Sequence, residues 1–358
     1  MPGAQLGWIR PFSGRIWCED MEQEQNLSGQ STAKERVLSG IQPSGELHLG
    51  NYFGAIQQHL ELQHQYPGEA YFFIANYHAL TTTRDRELLR KRTLDAALDY
   101  LALGLDPEKA IFFRQSDVPE VCELAWLLAT VTPVSLLEKG VSYKEKVQRG
   151  IPASAGLFTY PLLMAADILI YRATIVPVGE DQVQHIEFTR DMAGFFNKAY
   201  GKGEAILHLP VARFSPGKKV PGLDGQKMSK SYGNTIGIFE EGAALKKKVM
   251  SIKTASIPLG EPLDPDNDTV FALYRLVASP EETADMRERY LEGAIGFGQA
   301  KKELLAKLDE HFAEARERRR KLAEHPERVE EILVEGARKA RAIARETLDR
   351  CRDAVGIP

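Results

Sequence analysis

Residues 227–231, Lys-Met-Ser-Lys-Ser, carry groups suited to binding a polyphosphate. Two ammonium groups three residues apart, with hydroxyls beside them, can bind the oxygens of neighbouring phosphates. Glycines on both sides of the string, between Gly217 and Gly233, suit a loop that closes on a ligand and opens again. The alternative is a solvated surface loop, and a second phosphate site elsewhere would decide between the two. We refer to residues 214–233 as the lysine loop.

A strand, a glycine-containing turn and a helix follow one another upstream, over residues 37–54. The strand is apolar, residues 42–45 read Gln-Pro-Ser-Gly, and apolar residues take a helical spacing from about His48. This arrangement directs backbone N–H groups and the positive end of a helix towards an anion. His48 and Asn51 would present donors from the first turn, and Gly50 would leave room for a ligand ring. With the lysine loop, the turn is a strong signal for a second phosphate site.

The two strings together resemble the paired signatures of class I aminoacyl-tRNA synthetases. Residues 43–51, Pro-Ser-Gly-Glu-Leu-His-Leu-Gly-Asn, are most similar to the form in the tryptophanyl-tRNA synthetase family. Residues 160–169 and 176–182 continue the resemblance, which covers roughly residues 36–350. It implies that L-tryptophan is activated with ATP and transferred to tRNA(Trp) by a homodimer. Mg²⁺ would be carried mainly by the ATP phosphates.

The expected activation step needs no protein nucleophile and no protein-bound metal, because it depends on positioning and on charge stabilisation. By the resemblance, His48 would stabilise the phosphates in the transition state, and Lys227 and Lys230 would bind the β- and γ-phosphates. Acids at 180 and 181 would take the ribose hydroxyls. The residues expected at the nucleotide are Gln42, Pro43, Ser44, Gly50, Asn51, Lys146, Gly179, Glu180, Asp181, Val220, Lys227, Met228, Ser229, Lys230 and Ser231.

Met164 and Asp167 lie three residues apart in an otherwise apolar helical segment, so they share one face. An acid in such a run is costly to bury without a donor, and a position at the solvent edge of the helix is the simple alternative. The resemblance instead favours Asp167 as the acceptor of the indole N–H, which would exclude phenylalanine. The other expected tryptophan contacts are Leu38, His78, Val176, Val178 and Gln182.

Strands and helices alternate around these motifs. Strands are predicted at 36–39, 70–75, 110–114 and 174–178, and helices at 48–65, 85–103, 119–131, 160–171 and 181–200. This alternation predicts an α/β fold, a doubly wound, parallel-sheet (Rossmann-like) catalytic domain whose ligands bind at the carboxyl ends of the strands. Beyond residue 234 only helices are predicted, at 240–252, 268–278, 281–291, 296–322 and 326–355.

The predicted organisation is therefore a poorly ordered extension at 1–33, a catalytic domain at 34–233 that includes the lysine loop, and a C-terminal all-helical domain at 234–358. By the resemblance, the helical domain binds the tRNA anticodon, and its last helix could pack back on the catalytic domain. Residues 142–149 form a polar stretch that would bring Lys146 to a phosphate. A surface loop is the alternative for this stretch.

Composition limits the partners and the compartment. The formal net charge of −4 argues against a general polyanion binder, so DNA is not an expected partner. Three well-separated cysteines show neither disulfide nor zinc spacing, which suits reduced thiols in the cytoplasm. No apolar run is long enough for a membrane span, and no signal peptide is expected.

Three other functions stay open at this point. A tyrosyl-tRNA synthetase would use the same fold but needs a polar residue, typically Gln, where this chain has Met164. A small-molecule nucleotidyltransferase shares the glycine turn, but such chains are usually shorter and lack an appended helical domain. A non-catalytic, synthetase-like paralogue is disfavoured by intact His48, Lys227 and Lys230.

Overall fold

Five parallel strands form the central sheet of the computed structural model, which describes residues 34–140, 154–179, 183–214 and 219–358. The strands lie in the order β3-β2-β1-β4-β5. The chain thus winds outwards in both directions from β1, and the crevice between the carboxyl ends of β1 and β4 is where such sheets bind ligands. The strands are β1 (Val37–Ile41), β2 (Ala70–Ile74), β3 (Ala110–Arg114), β4 (Ile175–Val178) and β5 (Val211–Phe214).

Helices cover both faces of this sheet, which confirms the predicted doubly wound α/β architecture. The helix after the glycine turn, α1, spans residues 49–65 and contains a π-helical stretch, Tyr52–Ile56. The other helices up to β5 are α2 (Asn76–Ala79), α3 (Arg86–Ala102), α4 (Glu120–Ala129), α5 (Val134–Leu137), α6 (Ala155–Ile170) and α7 (Val183–Tyr200).

The part of the chain after the lysine loop is helical, as predicted. Its helices are α8 (Gly242–Met250), α9 (Thr269–Val277), α10 (Pro280–Leu291), α11 (Phe297–Glu324) and α12 (Pro326–Val355). None of the helices in the described ranges is both long and apolar enough to cross a membrane. By their contacts, Glu35–Pro358 group into one compact unit, and the domain boundary at 233/234 stays a prediction.

Two differences from the predicted elements have local causes. β5 was missed because it is four residues long and carries an arginine, and its Val211 side chain is exposed. The helix predicted to start at residue 160 begins at Ala155, because the Ser154 side chain caps it by accepting from the N–H of Leu157 at 3.2 Å.

Strands β2 and β3 are buried on both faces, which explains their nearly continuous apolar sequences. On one face, Leu38, Tyr71 and Ile111 lie side by side on β1, β2 and β3, in a core shared with α4, α6, α7 and α12. On the other face, Val37, Ala70 and Ala110 are aligned in a core shared with α1, α3 and the C-terminal helices. Leu38 is therefore set in the wall of the first core.

The last helix lies directly against the edge strand β3. A Cβ atom on Gly336 of α12 would come within 1.9 Å of the Phe112 carbonyl oxygen, so only glycine permits this approach. Ion pairs reinforce the contact: Arg341 and Arg345 bind Glu120 of α4 at 2.5 and 3.0 Å. These contacts place α12 over the same strand whose end contributes to the candidate site.

Candidate active site

The turn after β1 forms one wall of the candidate site. The N–H of Ser44 donates to the carbonyl of Gln42 at 2.8 Å, and Gly45 has a φ of 101°, a conformation that favours glycine. Pro43 is buried, whereas Gln42 and Ser44 are exposed. The turn therefore presents a polar surface at the carboxyl end of β1, as the sequence predicts.

His48 occupies the N-cap position of α1, and its ring is folded into the protein at 7% exposure. A Cβ atom on Gly50 would lie 2.9 Å from His48 Nδ1, so in this structure Gly50 makes room for the imidazole. Asn51 Oδ1 accepts from the backbone N–H of His48 at 3.1 Å and thus caps the helix from within. The side-chain amide oxygen of Asn51 is therefore bonded to the backbone of His48 rather than directed at a ligand.

The imidazole of His48 is neutral at physiological pH. Burial, followed by the nearby charge of Lys230, lowers the pKa of His48 to about 4. Within the described residues, His48 Nδ1 is buried without a hydrogen-bond partner. An unsatisfied buried nitrogen is costly, and its presence here suits a group that completes its hydrogen bonds with a ligand.

The lysine loop is anchored by a short hairpin. The N–H of Met228 donates to the carbonyl of Val220 at 2.9 Å, and Gly225 turns the chain with a φ of 82°. The side chains of Val220 and Met228 are only 3% and 4% exposed, because both belong to the core beneath α1. These two predicted nucleotide contacts therefore have their side chains in the core, and what they could offer a ligand is backbone.

Asn234 organises the tip of the lysine loop, and the sequence analysis did not identify it. Its amide nitrogen donates to Asp224 Oδ1 at 2.7 Å and to the carbonyl of Lys227 at 3.2 Å, while its oxygen accepts from the N–H of Ser229 at 2.8 Å. A Cβ atom on Gly222 would fall 2.2 Å from Asn234 Nδ2, so this glycine gives the amide its space. The only sequence signal was an Asn directly after the glycine that ends the loop.

Lys230 joins the two signature strings. Its ammonium donates to the Gly45 carbonyl at 3.0 Å and to Ser44 Oγ at 3.2 Å, although Lys230 and Ser44 are 186 residues apart. Lys227 is exposed. Among the described residues, its hydrogen bond to Asn234 is made by its backbone carbonyl and not by its side chain. Ser229 Oγ and Ser231 Oγ lie 2.9 Å apart. The predicted lysine pair is thus unequal, with Lys230 already at the turn.

The end of β4 completes the nucleotide side of the crevice. Val178 and Gly179 lie at the carboxyl end of β4, which neighbours β1 in the sheet. Gly179 is half-buried there. The predicted ribose contacts Glu180 and Asp181 and the predicted phosphate contact Lys146 lie outside the described residues, as does Gln182 on the amino-acid side.

Asp167 lies at the centre of a buried polar cluster on the opposite side of the crevice. At 1% exposure it is not at a solvent edge, so that alternative is wrong. His78 Nε2 lies 2.9 Å from Asp167 Oδ2, and Gln115 Nε2 donates to both carboxylate oxygens at 2.9 and 2.7 Å. Burial raises the pKa of Asp167, and the hydrogen bonds from His78 and Gln115 oppose that rise.

Gln115 is the second residue that the sequence analysis missed. It is fully buried directly after β3, and its amide oxygen accepts from the N–H groups of Tyr77 and His78 at 3.0 and 3.4 Å. Its place at the carboxyl end of a predicted strand was the available signal, because ligand groups collect there. Gln115 fixes the orientation of the carboxylate and of the loop that carries His78.

The apolar side chains predicted around Asp167 converge on the same region. Leu38 and Val176 lie on neighbouring strands and are both buried, while Met164 and Val178 are half-buried. A cavity of about 210 Å³ lies next to His78, with Tyr160 of α6 in its wall. Asp167 is not part of the lining of this cavity, but it contacts the lining residue His78. The acid and its donors lie among apolar side chains, a setting that suits recognition of a flat ring that carries an N–H.

Comparison with known proteins agrees with this arrangement. A family model described as "tRNA synthetases class I (W and Y)" matches residues 30–313. The tryptophan–tRNA ligase of Rhodopirellula baltica is 52% identical over 90% of this chain and 99% of its own length. That of Fusobacterium nucleatum is 50% identical over 90% of this chain and 98% of its own length.

A solved structure is also similar. Tryptophanyl-tRNA synthetase from Campylobacter jejuni, complexed with ADP and tryptophan, is 46% identical and has a TM-score of 0.85, covering 90% of this chain and all of that one. The sheet order, the convergence of the two signature strings and these similarities lead to one conclusion. The chain belongs to the family of class I tRNA synthetases that comprises the tryptophan and tyrosine enzymes.

Proposed function

We propose that this chain is a tryptophan–tRNA ligase that forms tryptophanyl-adenylate from L-tryptophan and ATP and then transfers the aminoacyl group to tRNA(Trp). The observation that carries the proposal is the contact of Lys230 with Ser44 and Gly45, which closes a cationic site around the turn after β1. The named relatives, at 50–52% identity over 90% of the chain, support tryptophan as the amino acid.

In the first step a carboxylate oxygen of tryptophan attacks the α-phosphorus of ATP. A bond forms between these atoms, and the bond from the α-phosphorus to the oxygen that bridges to the β-phosphate breaks. The electron pair of that bond leaves with pyrophosphate. The protein has to hold the reactants in line and stabilise the charge that develops on the phosphates.

On the nucleotide side, Lys230 and Lys227 would bind the β- and γ-phosphates, and Lys227 would have to move in from its exposed position. The neutral imidazole of His48 would donate one hydrogen bond to a phosphate oxygen without adding a fixed charge. Backbone and hydroxyl groups would hold the rest of the nucleotide. The described residues that would supply these groups are Gln42, Pro43, Ser44, Gly50, Asn51, Gly179, Val220, Met228, Ser229 and Ser231. Three residues outside the described ranges would add side-chain contacts, Lys146 to a phosphate and Glu180 and Asp181 to the ribose.

Mg²⁺ would come to the site on the phosphates. No group of three or more His, Cys, Asp or Glu side chains that could hold a metal ion occurs among the described residues, and the turn itself is lined by a cation. Magnesium commonly keeps several waters and binds substrate phosphates, which suits such a site. When bound it would neutralise phosphate charge alongside the lysines.

On the amino-acid side, the indole would enter the slot between Leu38, Val176 and Met164, with Val178 and Gln182 beside it. Its N–H would donate to Asp167, whose oxygens are oriented by Gln115 and His78. Tyrosine would bring a hydroxyl towards Met164, which offers only a weak acceptor. Phenylalanine would leave the buried carboxylate with one hydrogen bond fewer.

The proposal also covers the tRNA partner, the oligomeric state and the cellular location. The helical region 234–358 would bind the anticodon of tRNA(Trp), as the resemblance implies. Two chains would form a homodimer, for which the exposed Trp126 of α4 and the nearby exposed Val134 offer apolar surface. The cytoplasm stays the predicted location.

The decisive experiment is amino-acid-dependent ATP–pyrophosphate exchange with purified protein, run with tryptophan and with tyrosine, followed by charging of tRNA(Trp). Exchange that depends on tryptophan is the expected result. A preference for tyrosine, or no exchange with either amino acid, would overturn the proposal. Sedimentation of the wild type and of a Trp126→Asp variant would test the homodimer separately.

A further inference from the structure

A second cation lies at the turn after β1. Arg92 of α3 is half-buried, and a Cβ atom on Gly45 would lie 3.7 Å from Arg92 Nε. Its Nη1 donates to Thr83 Oγ1 at 3.3 Å, and Thr83 is itself buried. The guanidinium is thus held against the same turn that receives the ammonium of Lys230.

Arg92 and Lys230 are close enough to repel each other. The pKa of Lys230 is lowered by burial and next by the charge of Arg92. Glu46 and Asp99 act on Lys230 in the opposite sense, but more weakly. Two neighbouring cations are costly unless an anion separates them.

Of the two acids that act on Lys230, Asp99 is engaged elsewhere, and the exposed Glu46 forms no ion pair within the described residues. Asp99 accepts from Arg319 of α11 at 2.5 Å, and Asp95 binds Lys91 and Arg319 at 2.5 and 3.1 Å. In the part of the chain that the structure describes, neither Arg92 nor Lys230 forms an ion pair. An exogenous anion is what the pair lacks.

We propose that Arg92 is a third phosphate-binding cation of the adenylation site, and that it contacts the β,γ-pyrophosphate portion of ATP together with Lys230. This inference rests on the proposed function and deepens it. A guanidinium can bind two non-bridging oxygens of a phosphate at once, which an ammonium cannot do with the same geometry. Because negative charge grows on the pyrophosphate as it leaves, Arg92 would act both on ATP binding and on the transition state.

A purely structural role makes a different prediction. If Arg92 only supported Thr83 and the start of α3, its loss would affect every ligand of the turn alike. If it binds the terminal phosphates, its loss should matter for ATP and pyrophosphate but not for AMP or tryptophan. The number of phosphates in the ligand therefore separates the two roles.

The test is calorimetric titration of the folded protein with ATP, pyrophosphate, AMP and tryptophan at low salt. Variants Arg92→Gln and Arg92→Met are compared with wild type, and melting temperatures establish that each variant is folded. The control is Arg90→Gln, since Arg90 lies on the same helix, is exposed and pairs with Glu87 at 3.3 Å. We expect the Arg92 variants to bind ATP and pyrophosphate about 10- to 100-fold more weakly, the effect of losing a charge-assisted contact.

AMP and tryptophan should bind the Arg92 variants with nearly unchanged affinity, and Arg90→Gln should behave as wild type. Arg92→Lys should recover part of the pyrophosphate affinity, because lysine restores the positive charge but cannot bind two phosphate oxygens with the geometry of a guanidinium. Unchanged pyrophosphate affinity in either folded Arg92 variant, or an equal loss for AMP, would overturn the inference. Exchange with the wild type tests the proposed function separately, because the titrations do not depend on which amino acid is activated.

Discussion

Gln115 Nε2 binds both carboxylate oxygens of Asp167, at 2.9 and 2.7 Å, and so fixes the plane of this buried acid. Gln115 directly follows β3 and Asp167 lies on α6, so the two residues meet only in the folded chain. His78 adds a third hydrogen bond at 2.9 Å. A carboxylate accepts about four hydrogen bonds, so these donors leave room for one more, from a ligand.

Asp167→Ala should abolish the preference for tryptophan over phenylalanine. The substitution removes the acceptor of the indole N–H, and kcat/KM for tryptophan should fall by a factor of about 100 or more, while phenylalanine changes little. Exchange kinetics with both amino acids measure this. Asp191→Ala on the exposed face of α7 is the control. Intact discrimination in the Asp167 variant would show that the indole is recognised elsewhere.

Gln115→Leu should raise KM for tryptophan about 10-fold and leave KM for ATP unchanged. The variant removes two hydrogen bonds from Asp167 and leaves the N–H of Tyr77 without its side-chain acceptor. Gln115→Glu should be worse, because a second carboxylate beside Asp167 raises the pKa of the pair and disorders its geometry. Separate KM values for the two substrates are the readout, and equal effects on both would argue against a positioning role.

His48 should stay neutral down to about pH 5 in the substrate-free protein. Its folded pKa of about 4 lies below the unfolded value of 6.5, so the unfolded chain takes up the proton first. The contribution of His48 to stability is therefore complete above pH 6.5 and is lost as the pH falls towards 4. NMR titration of labelled imidazoles would measure the pKa directly. Lys230→Gln should raise it, since a neighbouring positive charge is removed; a titration near 6.5 in wild type would contradict the buried ring.

Asn234→Ala should raise KM for ATP with little change in KM for tryptophan. Three hydrogen bonds that shape the lysine loop are lost, and the loop should spend less time in the conformation that places Lys230 at the turn. The expected cost is about 1–3 kcal/mol in kcat/KM for ATP, or roughly 5- to 150-fold. Asn267→Ala, which removes an exposed amide bonded to Asp264, provides a matched control.

Gly336→Ala should destabilise the protein by about 3 kcal/mol, because its new Cβ atom would collide with the backbone of β3 rather than with a movable side chain. Urea denaturation measures the change. Gly298→Ala is the control, since nothing lies within 4 Å of its Cβ position and alanine favours the helix. A Gly336 variant as stable as that control would mean that α12 can shift away from the strand at little cost.

The architecture, the turn after β1 and the lysine loop could be predicted because local sequence patterns specify them. Alternating apolar segments gave the parallel sheet, and glycine spacing marked the turn and the loop. The helix predicted at 326–355 has the observed bounds, Pro326–Val355. In contrast, β5 is too short and too polar to stand out from its surroundings.

The polar residues that fix geometry were harder to predict, because their partners are far away in sequence. Gln115 and Asp167 are 52 residues apart, and no spacing links them. Asn234 looks like an ordinary loop residue until its three partners are seen. The difference between Lys227 and Lys230 also depends on tertiary contacts, since the two lysines are chemically identical in the sequence.

The position of α12 has a consequence for how the protein is made. β3 is synthesised early, but the helix that covers it comes from the last 30 or so residues of the chain. At about 5–20 residues per second, the ribosome would need roughly 10–40 s to reach α12 after completing β3. During that interval the nascent sheet keeps an apolar edge uncovered, so the growing chain should depend on chaperone protection until α12 emerges.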